Sequence, residues 1–172
     1  WSPGIGDQSL IGWFTVVAYV LGAILSGLIG LKTCGRERVF WLSILVVLAF
    51  LSINKQLDLQ SALTATGRCI AQLQGWYDQR RAVQLVFMVT MAAFSVCTTI
   101  FLFWWMKDCL RRNWLALLGF GILITFILLR AAGFHHIDAL VTSAQLHWLL
   151  ELSGIAFISL NALQLLSRDK EI

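Results

Sequence analysis

The stretch LIGWFTVVAYVLGAILSGLIGL, from Leu10 to Leu31, decides the fold because its 22 residues include no charged side chain. About 20 consecutive, mostly apolar residues are enough for a helix to cross a bilayer. We therefore predict a transmembrane helix here. Gly22, Ser26 and Gly30 recur every four residues along it, and this spacing predicts a ridge that lets a second helix pack closely.

The rest of the chain has the same character. Of its 172 residues, 59% are hydrophobic and 13% are charged, whereas about 25% of the residues in a typical soluble domain are charged. The net charge of +4 is small, and its basic residues lie in loops, where membrane topology already explains them. The composition predicts an integral membrane protein in a lipid bilayer and gives no indication of a nucleic-acid partner.

Four further apolar runs complete the predicted architecture. The residues between the second and third runs, 59–81, mix leucine and isoleucine with polar side chains, which is typical of an amphipathic helix at the membrane interface. We predict an all-α bundle of about five transmembrane helices, with an outer interfacial helix, in a single transmembrane domain over residues 1–172. The four further spans are Val39–Asn54 (continuing as helix to Asp58), Ala82–Met106, Trp114–Ala132 and Ala139–Leu166.

The basic residues predict the orientation of the bundle. If the chain crosses the membrane five times, eight basic residues lie on the same side as the C-terminus and five lie on the other side. Short cytoplasmic loops carry an excess of lysine and arginine, so the N-terminus is expected outside and the C-terminus inside. The eight are Lys32, Arg36, Arg38, Lys107, Arg111, Arg112, Arg168 and Lys170, and the five are Lys55, Arg68, Arg80, Arg81 and Arg130.

Polar and ionisable side chains gather at the outer ends of several spans. In RAAGFHHIDALVTSAQLHWLLE, from Arg130 to Glu151, Ser143, His147 and Glu151 recur every four residues and predict a polar stripe along the last span. Glu151 lies about two turns inside that span. Ionisable groups within a membrane are expensive, so we expect Glu151 to carry a proton or to have a partner such as Arg130.

This outer polar cluster is open to several interpretations. It could be a structural network of ion pairs, or it could bind a polar ligand. His135, His136 and Asp138 are also side chains of the kind that bind zinc or iron, although no HExxH motif supports a metal. A haem held by two histidines is disfavoured, because the first three spans contain no histidine.

Three strings resemble a family of small, uncharacterised bacterial inner-membrane proteins. They are INKQLDLQ from Ile53, GWYDQRR from Gly75 and RAAGFHHID from Arg130. The resemblance covers residues 51–138; it implies bacterial origin and an inner-membrane location, and it supplies no mechanism. It groups as one candidate site Asn54, Lys55, Asp58, Arg68, Trp76, Tyr77, Arg81, Arg130, His135, His136 and Asp138, to which the stripe on the last span adds His147 and Glu151.

Two hypotheses for function follow. The first is an accessory or assembly subunit of a larger membrane complex, whose outer polar cluster is structural or binds a polar ligand. The alternative is a membrane-embedded, metal-dependent hydrolase that uses histidines and an acid of the cluster as ligands and a second acid as general base.

Overall fold

A computed structural model describes residues 10–57, 65–67, 69–70, 72–73, 80–132 and 144–168, apart from the side chains at 80–82, 84, 88, 129–132 and 144–147. Five helices are long and apolar enough to cross a membrane, and the described ranges contain no strand. The predicted all-α class is therefore confirmed. The helices are α1 (Leu10–Lys32), α2 (Gly35–Leu57), α3 (Arg80–Trp105), α4 (Leu110–Ala132) and α5 (Ala144–Arg168), with a 3-10 turn at Lys107–Cys109 before α4.

Two helices begin earlier than the apolar pattern predicts. α2 begins at Gly35 rather than Val39, and α4 begins at Leu110 rather than Trp114. Apolarity marks the part of a helix that lies in hydrocarbon, whereas the hydrogen-bonded backbone continues into the polar interface. The start predicted for the last span, at Ala139, lies outside the described residues. Helical residues at 65–67, 69–70 and 72–73 fall within the predicted interfacial segment.

A tight turn makes α1 and α2 an antiparallel pair. The backbone N–H and the hydroxyl of Thr33 both donate to the carbonyl oxygen of Ile29, each over 2.9 Å, and so cap the end of α1. Gly35 then has a φ of +60°, a conformation that glycine adopts without the steric cost of a side chain. The chain therefore reverses within a few residues.

Four of the helices form the packed core. α1 packs against α2 and α5, and α4 packs against α5. The ring of Phe40 on α2 meets the ring of Phe120 on α4 edge-on, with centroids 6.5 Å apart. This contact joins α2 to α4. α3 lies beside this core and meets α4 near the 3-10 turn.

Small residues set the distances between helix axes. A Cβ atom added at Gly30 would lie 2.9 Å from Cδ2 of Leu42, and Ser26 is fully buried, so the ridge predicted on α1 is confirmed. The closest approach is between α4 and α5, where a Cβ atom at Gly119 would lie 2.6 Å from the backbone oxygen of Gly154. The core is held at backbone-to-backbone contact there, as small residues allow in membrane bundles.

Candidate functional site

A buried carboxylate joins three helices towards one end of the core. Glu151, two turns into α5, is only 3% exposed. Its Oε1 accepts a hydrogen bond from the hydroxyl of Tyr19 on α1 over 3.0 Å, and its Oε2 accepts one from Nζ of Lys55 on α2 over 2.9 Å. We call these three residues the Glu151 network.

Local sequence explains how each member reaches the centre. Tyr19 lies on the buried face of α1, which also carries Thr15 and Gly22 at helical spacing. Lys55 is in the last turn of α2, and its side chain is only 12% exposed. Its long aliphatic stem can pack on apolar surface while the ammonium group reaches a partner. The network therefore uses the length of the lysine to cross from α2 to α5.

The network satisfies the charge on Glu151. Ion pairs buried away from water interact strongly, but they stabilise a fold only when hydrogen bonds also satisfy the remaining atoms. Here each carboxylate oxygen has its own donor, one of them cationic. Glu151 consequently acts as a link between α1, α2 and α5.

The structure describes the side chains of three residues in the predicted cluster. Lys55 and Glu151 are brought together, and Asn54 is partly buried in the same turn of α2 as Lys55. The partner that the sequence suggested for Glu151 was Arg130, whose side chain lies outside the described part of the chain. The contact that the structure shows is between Lys55 and Glu151.

The remaining members of the cluster stay predictions. Arg81, Arg130 and His147 lie in α3, α4 and α5, but their side chains are outside the description. Within the described residues, no group of three histidine, cysteine, aspartate or glutamate side chains could hold a metal, while the suggested ligands for zinc or iron lie outside that part of the chain. The members entirely outside the described residues are Asp58, Arg68, Trp76, Tyr77, His135, His136 and Asp138.

Two polar side chains close in sequence to members of the Glu151 network were not among the predicted site residues. Gln56 follows Lys55 on α2, and Trp148 precedes Glu151 by three residues on α5. The carboxamide oxygen and nitrogen of Gln56 and Nε1 of Trp148 are buried, and none of them has a hydrogen-bond partner among the described residues. Glutamine and tryptophan near a membrane interface are common, so nothing in the sequence distinguished these two.

A second buried network lies towards the opposite end of the core. Oδ1 of Asn113 on α4 accepts a hydrogen bond from Nε1 of Trp41 on α2 over 3.0 Å, and Nδ2 of Asn113 donates to Oε1 of Glu37 over 2.7 Å. We call these residues the Asn113 network. The sequence did not indicate it, because a tryptophan near the end of a membrane span is typical of the interface, whereas Trp41 is fully buried.

Asn161 extends the polar contacts into the backbone of α4. Its Oδ1 accepts from the N–H of Ala116 over 2.9 Å, and its Nδ2 donates to the carbonyl of Arg112 over 3.0 Å. These two backbone groups are four residues apart, so in a regular α-helix they bond to each other. The side chain of Asn161 thus serves both ends of one helical hydrogen bond and fixes the register between α4 and α5.

Two ion pairs lie at the same end of the core as the Asn113 network. Arg36 lies 3.2 Å from Asp108, and Arg112 lies 3.5 Å from Glu37. The first pair is exposed on both sides, so it contributes little to stability. The second adds a cation to the buried Asn113 network.

Comparison of the chain with protein-family models, with curated proteins and with solved structures finds no match. Function is therefore inferred from the geometry of the described residues.

Proposed function

We propose that this protein is an accessory or assembly subunit of a larger complex in a bacterial inner membrane. The observation that carries the proposal is the surface of α3. None of its described side chains from Leu85 to Trp105 is buried within the chain, whereas 28–39% of the most apolar part of each other span is buried.

A membrane helix with an uncovered surface faces either lipid or another protein. Helices associate in a bilayer through close packing and interhelical hydrogen bonds, since lipid is as apolar as the helix itself. α3 exposes Phe94, Phe101 and Trp104 as well as smaller side chains, so it can supply both ridges and grooves. A subunit whose core folds through four helices has a fifth span available for a partner.

The Glu151 network supports a role in binding or architecture over catalysis. The carboxylate of Glu151 is buried and accepts one hydrogen bond from α1 and one from α2, so its contacts hold helices together. Under the positive-inside rule, the basic residues at the opposite end, such as Arg36, Lys107 and Arg111, support a cytoplasmic side for that end. The Glu151 network then lies towards the periplasm.

Site-specific photo-crosslinking in native membranes tests the proposal. A photoreactive amino acid at Phe94 on α3 is expected to form a protein adduct of discrete mass. The matched control is Ile24, which is exposed and apolar on α1, and a photoreactive group there is expected to label lipid. Adducts at Ile24 as strong as those at Phe94, or lipid labelling alone at both positions, would contradict a partner on α3.

A metal analysis tests the competing hydrolase hypothesis. We expect elemental mass spectrometry of the full-length protein, gently extracted in detergent, to find no stoichiometric zinc or iron. About one such ion per chain, lost in a His135→Ala/His136→Ala variant that still folds, would overturn the accessory role and favour the hydrolase.

A further inference from the structure

Two ion pairs hold the start of α2 against the start of α4. Nη1 of Arg36 lies 3.2 Å from Oδ2 of Asp108 and donates to the backbone oxygen of Trp105 over 3.4 Å. One residue further along α2, Oε1 of Glu37 lies 3.5 Å from Nε of Arg112. Since Arg36 and Glu37 are neighbours in the chain, the two pairs bring both arginines to one surface.

Each ion pair leaves most of the hydrogen-bonding capacity of its arginine unused. A guanidinium group carries five N–H donors. Arg112 uses Nε and Arg36 uses Nη1, and no partner among the described residues takes their other nitrogens. The side chain of Arg112 is 46% exposed and that of Arg36 is 55% exposed. The acids therefore orient two guanidinium groups whose remaining N–H groups are available to an anion such as a phosphate.

Lys107 and Arg111 add two further positive charges at this surface. Lys107 precedes Asp108, and Arg111 precedes Arg112; both are exposed, and neither has an ion-pair partner in the part of the chain that the structure describes. The four cations outnumber the two acids that pair with them, so the surface is positive. We call this surface the cationic patch, and its members are Arg36, Lys107, Arg111 and Arg112.

Tryptophans mark the level of the membrane at which the cationic patch lies. Trp104 is the next-to-last residue of α3 and is 69% exposed, and Trp114 is in the second turn of α4 and is 55% exposed. Exposed tryptophans near the ends of membrane helices lie at the level of the lipid headgroups. Three members of the patch lie between these two tryptophans in the chain, so the patch is at the depth of lipid phosphates.

We propose that the cationic patch binds the phosphate of an anionic phospholipid in the leaflet that surrounds this end of the bundle. Clusters of basic residues at the ends of membrane helices attract anionic headgroups, and arginines that are already oriented lose less freedom on binding. The phosphate oxygens accept from the free N–H groups of the two arginines, while Lys107 and Arg111 contribute charge. The acyl chains extend along the exposed apolar surface of α3 and α4, which includes Phe101 and Leu118. This apolar surface favours a lipid over a soluble anion.

Positive charge is also present at the same end of the bundle outside the patch. Arg38 on α2 and Arg168 at the end of α5 are both exposed. An α-helix turns by about 100° per residue, so Arg38 projects from nearly the opposite side of α2 to Arg36. These two arginines provide a matched control, because their replacement removes the same charge from the same end of the protein.

Thermal unfolding of the full chain in micelles of a neutral detergent tests the site. The unfolding temperature is titrated with phosphatidylglycerol, with phosphatidylcholine that has the same acyl chains, and with inorganic phosphate. We expect phosphatidylglycerol at a hundredfold excess over its Kd to raise the unfolding temperature by about 5–10 °C, and the other two probes to leave it nearly unchanged. The shift should shrink in about 1 M salt, which screens exposed charges.

Lys107→Gln/Arg111→Gln removes two charges of the patch and leaves both ion pairs in place. This variant should need about 25-fold more phosphatidylglycerol for the half-maximal shift, since each basic residue at a membrane surface contributes about fivefold. Arg38→Gln/Arg168→Gln should respond almost like the native protein. The inference goes beyond the accessory role and can fail independently of it, because crosslinking at α3 does not depend on these charges.

Three outcomes would overturn the site. The first is an absent shift with phosphatidylglycerol, or an equal one with phosphatidylcholine. The second is an equal loss of affinity in the two double variants, which would assign the effect to the charge of the whole end rather than to the patch. The third is an equal shift with inorganic phosphate, which would assign the patch to a soluble anion.

Discussion

Among the described helices, α1 and α3 contain the two most apolar stretches, which are equally apolar, yet the two helices pack in opposite ways. α1 has 39% of its most apolar stretch buried between α2 and α5, whereas no described side chain of Leu85–Trp105 is buried. α1 carries four glycines, and its Tyr19 bonds to Glu151. α3 contains no glycine. Apolarity alone therefore does not place a helix in the core of a membrane bundle.

The difference shows what replaces the hydrophobic effect within a bilayer. Burial against another helix brings little gain over burial in lipid, so association depends on close packing and on polar groups that need partners. The core of this protein contains both, whereas α3 packs against it through partly buried side chains such as Leu102 and Trp105 and exposes most of its other described side chains. The following substitutions test this contrast by their effect on the free energy of unfolding in mixed micelles.

The largest effect is expected from breaking the Glu151 network. Lys55→Met leaves a buried carboxylate without its cation and should cost about 3–5 kcal/mol. The double variant Lys55→Met/Glu151→Leu should recover most of this loss, because replacing a whole buried ion pair by apolar side chains is often neutral or stabilising. An SDS titration of the single and double variants measures this, and losses that simply add would show that the two residues are not coupled.

The next largest loss of stability is expected from breaking the Asn113 network. Asn113→Leu leaves the indole N–H of Trp41 and an oxygen of Glu37 without their partner, at a cost of about 2–3 kcal/mol. Ser43→Ala on α2 is the control, because its exposed hydroxyl bonds only to a carbonyl of its own helix. Equal effects of the two changes on the SDS midpoint would mean that the buried amide is not structural.

A smaller loss of stability is expected at the contact between the backbones of α4 and α5. Gly119→Ala places a methyl group 2.6 Å from the oxygen of Gly154, which forces α4 and α5 apart and should cost about 1–3 kcal/mol. Gly121→Ala, on the same helix with nothing within 4 Å, should be neutral or stabilise by up to about 1 kcal/mol. Similar unfolding temperatures for both variants would argue against the close crossing.

The smallest effect is expected on α3. Phe94→Ala should change the stability of the isolated chain by less than about 0.5 kcal/mol, because the ring is exposed. Phe40→Ala on α2 removes a fully buried ring and should cost about 3–5 kcal/mol. A loss at Phe94 that approaches the loss at Phe40 would place α3 within the core and remove the basis for a partner on its surface.

Only part of the candidate site could be predicted from the sequence. Glu151 was selected because an ionisable residue inside an apolar run is conspicuous, and Lys55 was selected because it lies at the outer end of a span, in a string that carries the family resemblance. Both belong to the Glu151 network. Tyr19 was missed because a single tyrosine in a membrane span has an ordinary place at the interface. Asn113 and Glu37 were missed because they follow basic loop residues, where a polar side chain is expected in water.

The sequence by itself determined the class of the protein, because 20-residue apolar runs have no other stable form in a membrane than a helix. It also determined the ridge on α1, since residues four apart share one face of a helix. Only the tertiary structure decided that Glu151 meets Lys55 and Tyr19, that Asn161 bonds to the backbone of α4, and that α3 remains uncovered. Helical periodicity fixes the face on which a residue lies, but it carries no information on which helices become neighbours. That order depends on contacts between residues far apart in the chain, such as Tyr19 and Glu151, which are 132 positions apart.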